Sequence, residues 1–180
     1  MHERRYDAEI DRLRSPERIE RLELQRVISL CLEGGQVRSV LDVGTGSGIF
    51  AEGFAEKAAT VIGIDANLEM VKVSKELVPG ASFQVATAES IPFADKSFDL
   101  VFLGLVLHET DDAPKALSEA MRCAKQSVVV LEWLYKEEEM GPPLEHRLKS
   151  EDVVAMAKTV GLEAITMTPL KNLLLYRFLV

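Results

Sequence analysis

The chain of 180 residues is long enough for one domain with a buried core, and its 47% of hydrophobic residues exclude an intrinsically disordered chain. Its net charge of −8 at pH 7 argues against a nucleic-acid partner, because binding a phosphate backbone requires a basic surface. No apolar run is long enough to span a membrane, and the charged N-terminus lacks the apolar core of a signal peptide, so we expect a soluble cytoplasmic protein.

The first predicted element is a helix over residues 15–33. Ser15-Pro16 is a typical helix start, and Gly34-Gly35 is a typical helix end. This helix belongs to residues 1–38, which hold eight arginines and eight acidic residues, whereas the rest of the chain carries the whole acidic excess. The arginines either form ion pairs on a solvated helix surface or face an anionic substrate, and the sequence leaves both interpretations open.

Strands and helices alternate after this helix. We predict strands over 39–44, 60–65, 81–87, 98–104 and 127–133, and helices over 47–58, over 67–77 and after Asp111 or Asp112. A polar stretch around Gly141-Pro142-Pro143 is too long for a tight turn, and long loops in compact domains are often functional. A last helix from Ser150 to Gly161 precedes two strands, 163–170 and 172–180, which we expect to pair antiparallel. The alternation predicts a mostly parallel sheet covered by helices, with ligand-binding residues at the carboxyl ends of the strands.

The two cysteines show no spacing typical of a zinc site. Cys31 and Cys123 both lie in the apolar stripes of predicted helices. We therefore expect buried free thiols and no metal site.

A glycine-rich loop, "LDVGTGSGIF" (41–50), follows the first predicted strand. A dinucleotide-binding loop, G-x-G-x-x-G, would have its third glycine where this chain has Ile49. Asp42 stands two residues before the first glycine, where a pyrophosphate would lie, and a carboxylate about 4 Å from a phosphate costs on the order of 4 kcal/mol. A cofactor with an ammonium group and no phosphate fits this loop better, and S-adenosylmethionine is such a cofactor.

Asp65 ends the second predicted strand. An acid at this place is positioned to accept hydrogen bonds from ribose hydroxyls. It can equally cap the helix that starts near Asn67, and the two roles are compatible. Asp65 does not distinguish NAD from S-adenosylmethionine, because both contain ribose.

Three segments of the chain resemble the successive motifs of class I S-adenosylmethionine-dependent methyltransferases. They read "VLDVGTGSGIFAEGFAEKAATVIGID", "TAESIPFADKSFDLVFLGLVLHET" and "VVVLEW", and they are most similar to the small-molecule branch that includes quinone-biosynthesis C-methyltransferases. The resemblance covers residues 36–135. It implies an α/β fold, a Rossmann-like three-layer sandwich with a mostly parallel seven-stranded sheet and an antiparallel last strand. We expect one methyltransferase domain over 1–180, with 1–35 as an N-terminal helical cap.

The resemblance also implies which residues bind the cofactor. Asp42, Gly44, Thr45 and Gly46 would line the methionine part of the cofactor, and Asp65 would hold the ribose. Ala66 and Met70 would lie beside the adenine, and Ala88 would offer its backbone N–H to the adenine edge. Gly104 and Leu105 would lie beside the end of the cofactor that carries the methyl group. One position departs from the family pattern. Family members often have Asp before the Ala-Glu pair, where this chain has Thr87, whose hydroxyl is neutral and shorter but still able to accept a bond from the adenine amino group.

His108 and Glu109 are the predicted catalytic residues, because they follow the fourth strand, where the methyl group is expected. Glu132, at the end of the fifth strand, is a further candidate, although it can also simply pair with a basic neighbour. His108 can likewise be a structural histidine beside a helix. No catalytic residue is obligatory, because the cofactor already carries the activation.

We predict methyl transfer by in-line displacement to carbon, oxygen or sulfur of a small-molecule acceptor. Methylases of DNA bases or glutamine typically carry Asn/Asp-Pro-Pro-Tyr/Phe after the fourth strand, where this chain has Leu103-Gly104-Leu105-Val106. One alternative is a catalytically silent S-adenosylmethionine-binding protein that acts through a partner. An NAD-dependent oxidoreductase is the other. The sequence does not predict the oligomeric state.

Overall fold

The computed structural model describes residues 10–139 and 141–180, and a seven-stranded sheet forms its centre. The strands are β1 (Ser39–Val43), β2 (Thr60–Asp65), β3 (Ser82–Val85), β4 (Phe98–Gly104), β5 (Ala124–Trp133), β6 (Ala164–Pro169) and β7 (Leu173–Leu179). Their order across the sheet is β3-β2-β1-β4-β5-β7-β6. The first five strands pair in parallel, and β7 runs antiparallel to both of its neighbours, β5 and β6. The predicted sheet is therefore confirmed.

Helices cover both faces of this sheet. They are α1 (Pro16–Arg21), α2 (Leu24–Leu32), α3 (Ile49–Ala55), α4 (Leu68–Leu77), α5 (Ala113–Cys123) and α6 (Ser150–Thr159), with short 3₁₀ turns at Leu107–Glu109 and Leu144–His146. Successive side chains of a strand point to opposite faces. In β4, Leu100 and Phe102 accordingly pack with α2 and α3, whereas Val101 and Leu103 pack with α5 and α6. These two cores, one on each side of the sheet, make the predicted three-layer sandwich.

The prediction of one continuous helix over 15–33 was wrong. The helix is interrupted at Leu22 and Glu23, and Glu23 adopts a left-handed backbone conformation with φ of 50°. The Glu23 carboxylate accepts hydrogen bonds from the backbone N–H of Lys171 (2.7 Å) and from the side chain of Arg26 (2.8 Å). The turn before β7 thus fixes the break, and a contact so distant in sequence leaves no trace in local periodicity.

The carboxyl ends of the parallel strands meet at one edge of the sheet, and most of the predicted site residues lie there. Both cysteines are buried free thiols, as predicted. No helix in the described part of the chain is both long enough and apolar enough to cross a membrane.

Candidate cofactor and active site

A cleft of about 680 Å³ opens at the carboxyl ends of β1, β2, β4 and β5. This is the place where open α/β sheets bind their ligands, and small-molecule sites typically measure about 300–1,000 Å³. Every residue of the predicted site lines this cleft except Asp42. The lining residues are Gly44, Thr45, Gly46, Asp65, Ala66, Met70, Thr87, Ala88, Gly104, Leu105, His108 and Glu109.

The glycine loop forms one wall of the cleft. Gly44 and Gly46 both have positive φ angles, 70° and 54°, which strain any residue with a side chain. A Cβ atom on Gly44 would lie 2.4 Å from Cγ2 of Val106, so only glycine allows the loop to approach the end of β4. A Cβ atom on Gly46 would meet nothing within 4 Å, because this part of the loop faces open space. The loop therefore presents bare backbone to a ligand.

Asp42 lies beneath the loop and not on the cleft surface. Its side chain is buried, and its Oδ2 accepts a hydrogen bond of 2.6 Å from the Thr45 hydroxyl. Burial raises the pKa of Asp42 to about 7, although the bond from Thr45 acts in the opposite direction. Asp42 thus holds Thr45 in place, and its predicted direct contact with the cofactor stays a prediction.

Asp65 connects the glycine loop to α4. Its Oδ2 accepts from the backbone N–H of Gly46 and its Oδ1 from that of Asn67, both at 2.8 Å. Asn67 in turn caps α4 by accepting from the N–H of Glu69. The helix-capping interpretation of Asp65 was therefore wrong, because the cap is Asn67 and Asp65 holds the backbone of that cap. Each carboxylate oxygen can accept more than one bond, so Asp65 keeps acceptor capacity towards the cleft.

Thr87 and Ala88 form the wall that follows β3. Thr87 is exposed and pairs with Ser90 in an isolated antiparallel bridge, and the Ser90 N–H donates to the Thr87 carbonyl at 3.2 Å. Ala88 is 8% exposed. Thr87 and Ala88 line the cleft, as do Ala66 and Met70.

His108 and Glu132 form a buried pair at the other end. Nδ1 of His108 lies 2.8 Å from Oε2 of Glu132, and the side chains are 6% and 1% exposed. The backbone N–H of His108 also donates to Oε1 of Glu132, at 3.2 Å. A carboxylate at Nδ1 keeps the proton there, so that Nε2 is the free acceptor of the neutral imidazole. Both residues were predicted as candidates, but their pairing was not.

The carboxylates around His108 control its protonation. Burial alone would lower the pKa of His108, but the hydrogen bond and charge of Glu132, with the charge of Glu109, outweigh burial and raise it above the ordinary histidine value. The Glu109 side chain is 69% exposed, with its Oε1 3.7 Å from Nε2 of His108. Glu109 therefore lies at the rim of the cleft and His108 inside it.

Arg147 holds the long loop that follows β5, and sequence reasoning missed it. Its side chain is 1% exposed and donates to the carbonyls of Leu134, Lys136 and Pro142. Its guanidinium also lies 5.5 Å from the ring centroid of Trp133, and Trp133, Gly141 and Pro142 line the cleft. The predicted functional importance of this loop is thus given a structural basis, because one buried arginine folds the loop into a cleft wall.

The N-terminal segment adds arginines to the cleft, namely Arg12, Arg18 and Arg21. Its position is fixed by Arg14, which donates to the Ser47 carbonyl of the glycine loop (2.7 Å) and pairs with Glu52 of α3. The only sequence signal for this contribution was the arginine-rich N-terminus. The described residues contain no cluster of three or more His, Cys, Asp or Glu suited to a metal ion.

Comparison with known proteins identifies the family. The model of a methyltransferase domain matches residues 41–131, which include the glycine loop, Asp65, Thr87 and His108. The chain belongs to this methyltransferase family. The match runs from β1 to β5 and so covers the strands whose carboxyl ends form the cleft.

Curated methyltransferases share this region with the chain. The chain is 40% identical over 92 residues to the uncharacterized methyltransferase YcgJ of Bacillus subtilis, which is 48% of this chain and 36% of YcgJ. It is 38% identical over 86 residues to the demethylmenaquinone methyltransferase of Renibacterium salmoninarum, with the same two coverages. The chain thus matches well under half of the length of these relatives.

A similar fold extends over nearly the whole chain in a solved methyltransferase structure. The crystal structure of an S-adenosylmethionine-dependent methyltransferase from Aquifex aeolicus has a TM-score of 0.83 and 24% sequence identity, and the match covers 96% of this chain and 97% of that one. The methyltransferase fold therefore includes the N-terminal helices and the last strand pair.

S-adenosylmethionine is the cofactor of this family, and the cleft fits it. Gly46 leaves open space where a side chain would stand, and Asp65 keeps acceptor capacity for ribose hydroxyls. Thr87 and Ala88 offer an acceptor and a backbone wall at the same end of the cleft. An amino-acid tail, a ribose and an adenine match this series of groups without any phosphate.

Proposed function

We propose that this protein transfers the methyl group of S-adenosylmethionine to carbon, oxygen or sulfur of a small-molecule acceptor. The observation that carries the proposal is that His108, oriented by the buried Glu132, lines the same cleft as the glycine loop. One end of the cleft is suited to the cofactor. The other end holds a polar group that can act on an acceptor.

The cofactor assignments follow the sequence of groups along the cleft. Gly44, Thr45 and Gly46 would bind the methionine part through their backbone groups, with Asp42 supporting Thr45 from below. Asp65 accepts from the ribose. The adenine would be held by Ala66, Met70, Thr87 and Ala88, and the sulfonium end by Gly104 and Leu105, all of which line the cleft.

When bound, S-adenosylmethionine supplies a methyl group already activated on a sulfonium, which is transferred by in-line displacement. The protein aligns the acceptor and excludes water. Nε2 of His108 removes the acceptor's proton, and Glu132 stabilises the resulting imidazolium through Nδ1. Glu109 lies at the rim, 3.7 Å from Nε2, where it adds negative charge beside that imidazolium.

The same proposal includes the domain organisation, the cellular location and the class of acceptor. We assign the chain to a single methyltransferase domain, with residues 1–35 as its helical cap, of which 1–9 lie outside the described residues. The acidic net charge supports the absence of a nucleic-acid partner, and a cytoplasmic location is part of the proposal. The relative named demethylmenaquinone methyltransferase supports a small-molecule acceptor.

The alternative is a silent cofactor-binding protein, and one experiment separates the two. The protein is incubated with methyl-labelled S-adenosylmethionine and a fraction of small metabolites, and label in a new product is measured by chromatography. We expect labelled product with the wild type and about 10²-fold slower labelling with His108→Ala, the usual loss for a general base. Binding of the cofactor without any labelled product would instead support the silent protein.

A further inference from the structure

Three arginines line the cleft, namely Arg12, Arg18 and Arg21. Within residues 10–139 and 141–180, none of the three has a carboxylate oxygen within 4.0 Å. Arg14 and Arg26 differ, because each pairs with a glutamate. Arg38 and Arg177, which lie away from the cleft, also lack an ion pair among the described residues, so the three cleft arginines are distinguished by their clustering in one cavity.

Arg18 is the most constrained of the three. Its Nε is buried and has no hydrogen-bond partner among the described residues. Burial, followed by the charges of Arg12 and Arg21, lowers the pKa of Arg18, whereas Glu109 acts in the opposite direction. A buried donor without a partner costs free energy, and so does a cluster of like charges. An anion between these side chains relieves both costs.

The position of Arg18 links it to the reacting end. Glu109 interacts electrostatically with Arg18, and the same Glu109 lies 3.7 Å from Nε2 of His108. Arg14 holds the segment in place through the Ser47 carbonyl. Arg18 thus lines the same cleft as Glu109 and His108.

We infer that the methyl acceptor carries a carboxylate or phosphate group, and that Arg18, flanked by Arg12 and Arg21, binds it. A guanidinium matches such oxyanions with paired N–H donors, and these charge-assisted bonds are strong and orienting. The inference rests on the proposed function and narrows its acceptor class. The carboxylate of the cofactor's own amino-acid tail has the same chemistry, so the test must separate the two sources.

The test is titration calorimetry with a matched pair of probes, phenylacetate and phenylacetamide, and with phenyl phosphate as a second anion. Each is added to the free protein and to its complex with S-adenosylhomocysteine. The variants are Arg18→Met, which keeps the apolar stem, and Arg26→Met as control, because Arg26 lies on α2 outside the cleft. S-adenosylhomocysteine and 5′-methylthioadenosine, which lacks the amino-acid tail, are titrated separately.

We expect the wild type and Arg26→Met to bind the anions at least about tenfold more tightly than the amide, the scale of one charged hydrogen bond. Arg18→Met should lose that preference and keep its affinity for S-adenosylhomocysteine. If Arg18→Met does not fold, the combined Arg12→Met and Arg21→Met variant replaces it, and a reduced preference is expected.

Two results overturn the inference. One is equal binding, or no binding, of anions and amide by the wild type. The other is an Arg18→Met variant that loses affinity for S-adenosylhomocysteine but not for 5′-methylthioadenosine, which assigns the arginine to the cofactor's own carboxylate. Failure of the wild type to bind S-adenosylhomocysteine contradicts the proposed function instead, whatever the anions show.

Discussion

Nδ1 of His108 lies 2.8 Å from Oε2 of Glu132, although the two residues belong to different elements and are 24 positions apart. The 3₁₀ turn after β4 and the end of β5 bring them together. Two bonds, one to the ring and one to the backbone N–H, fix the imidazole against this carboxylate. The pair therefore orients Nε2 and sets its basicity.

The first prediction concerns the protonation of His108. Its pKa in the folded protein should exceed the ordinary value of about 6.5. This ionisation stabilises the fold below about pH 6.5, and the contribution is lost as pH rises through the folded pKa. Glu132→Gln should lower the pKa, because burial then acts against a weaker partner. The Glu109→Gln substitution, at an exposed residue, should lower the pKa of His108 less.

Histidine NMR titration measures the pKa of His108, and His108→Gln assigns its signal. A wild-type pKa below 6.5, or one indifferent to Glu132→Gln, would contradict the pairing.

The second prediction concerns Asp42. Its folded pKa of about 7 exceeds the ordinary 3.8, so the wild type should lose stability as pH rises from about 4 to above 7. The loss is on the order of 4 kcal/mol at about 1.4 kcal/mol per pKa unit. Asp42→Asn can still accept from Thr45 and carries no charge, so it should flatten this dependence. Urea unfolding at several pH values measures both proteins. If the free energy of unfolding changed with pH in the same way in both proteins, the raised pKa of Asp42 would be contradicted.

The third prediction concerns Asp65. Asp65→Ala should weaken binding of S-adenosylhomocysteine about tenfold or more, because charge-assisted bonds contribute roughly 1.5–3 kcal/mol each. The variant also loses the bonds to Gly46 and Asn67, so its melting temperature should fall. Glu69→Ala is the matched control, since that exposed acid lies in the first turn of the same helix and pairs with Lys72. Calorimetry below the melting transition separates affinity from stability. An unchanged dissociation constant would remove Asp65 from the ribose site.

The fourth prediction concerns Arg147. Arg147→Met should expose the loop after β5 and destabilise the protein by roughly 3 kcal/mol, the scale for breaking a buried ionic contact. Cleavage by a lysine-specific protease after the exposed Lys136 should accelerate. The control is Lys149→Met, near the same loop but outside the buried network. Equal cleavage rates in the two variants would show that the loop is held by other contacts.

The sequence predicted the features that lie within single segments of the chain. The glycine loop, Asp65, Thr87 and His108 each follow a strand, and a parallel sheet gathers the ends of its strands at one edge. What could not be predicted depends on contacts between distant segments. The bond from Lys171 to Glu23 breaks the first helix, and Arg147 folds back on Leu134 and Pro142.

Asp42 shows a subtler limit. The sequence predicted that Asp42 lies beside the glycine loop, but it did not predict that the Asp42 side chain is buried. The hydroxyl of Thr45 turns towards the core and covers the carboxylate, which is 1% exposed. A pattern of residue types gives neighbours along the chain, whereas burial depends on how the loop folds over the end of β1.

We expect this cleft to bind S-adenosylmethionine and not a dinucleotide. Isothermal titration calorimetry with S-adenosylhomocysteine and with NAD tests it directly on the wild-type protein. We expect micromolar binding of S-adenosylhomocysteine and no measurable binding of NAD, with Gly46→Val abolishing the former because a side chain would then project into the open space at the loop. Tight binding of NAD, or no binding of S-adenosylhomocysteine by the folded protein, would contradict the assignment of this cleft to S-adenosylmethionine.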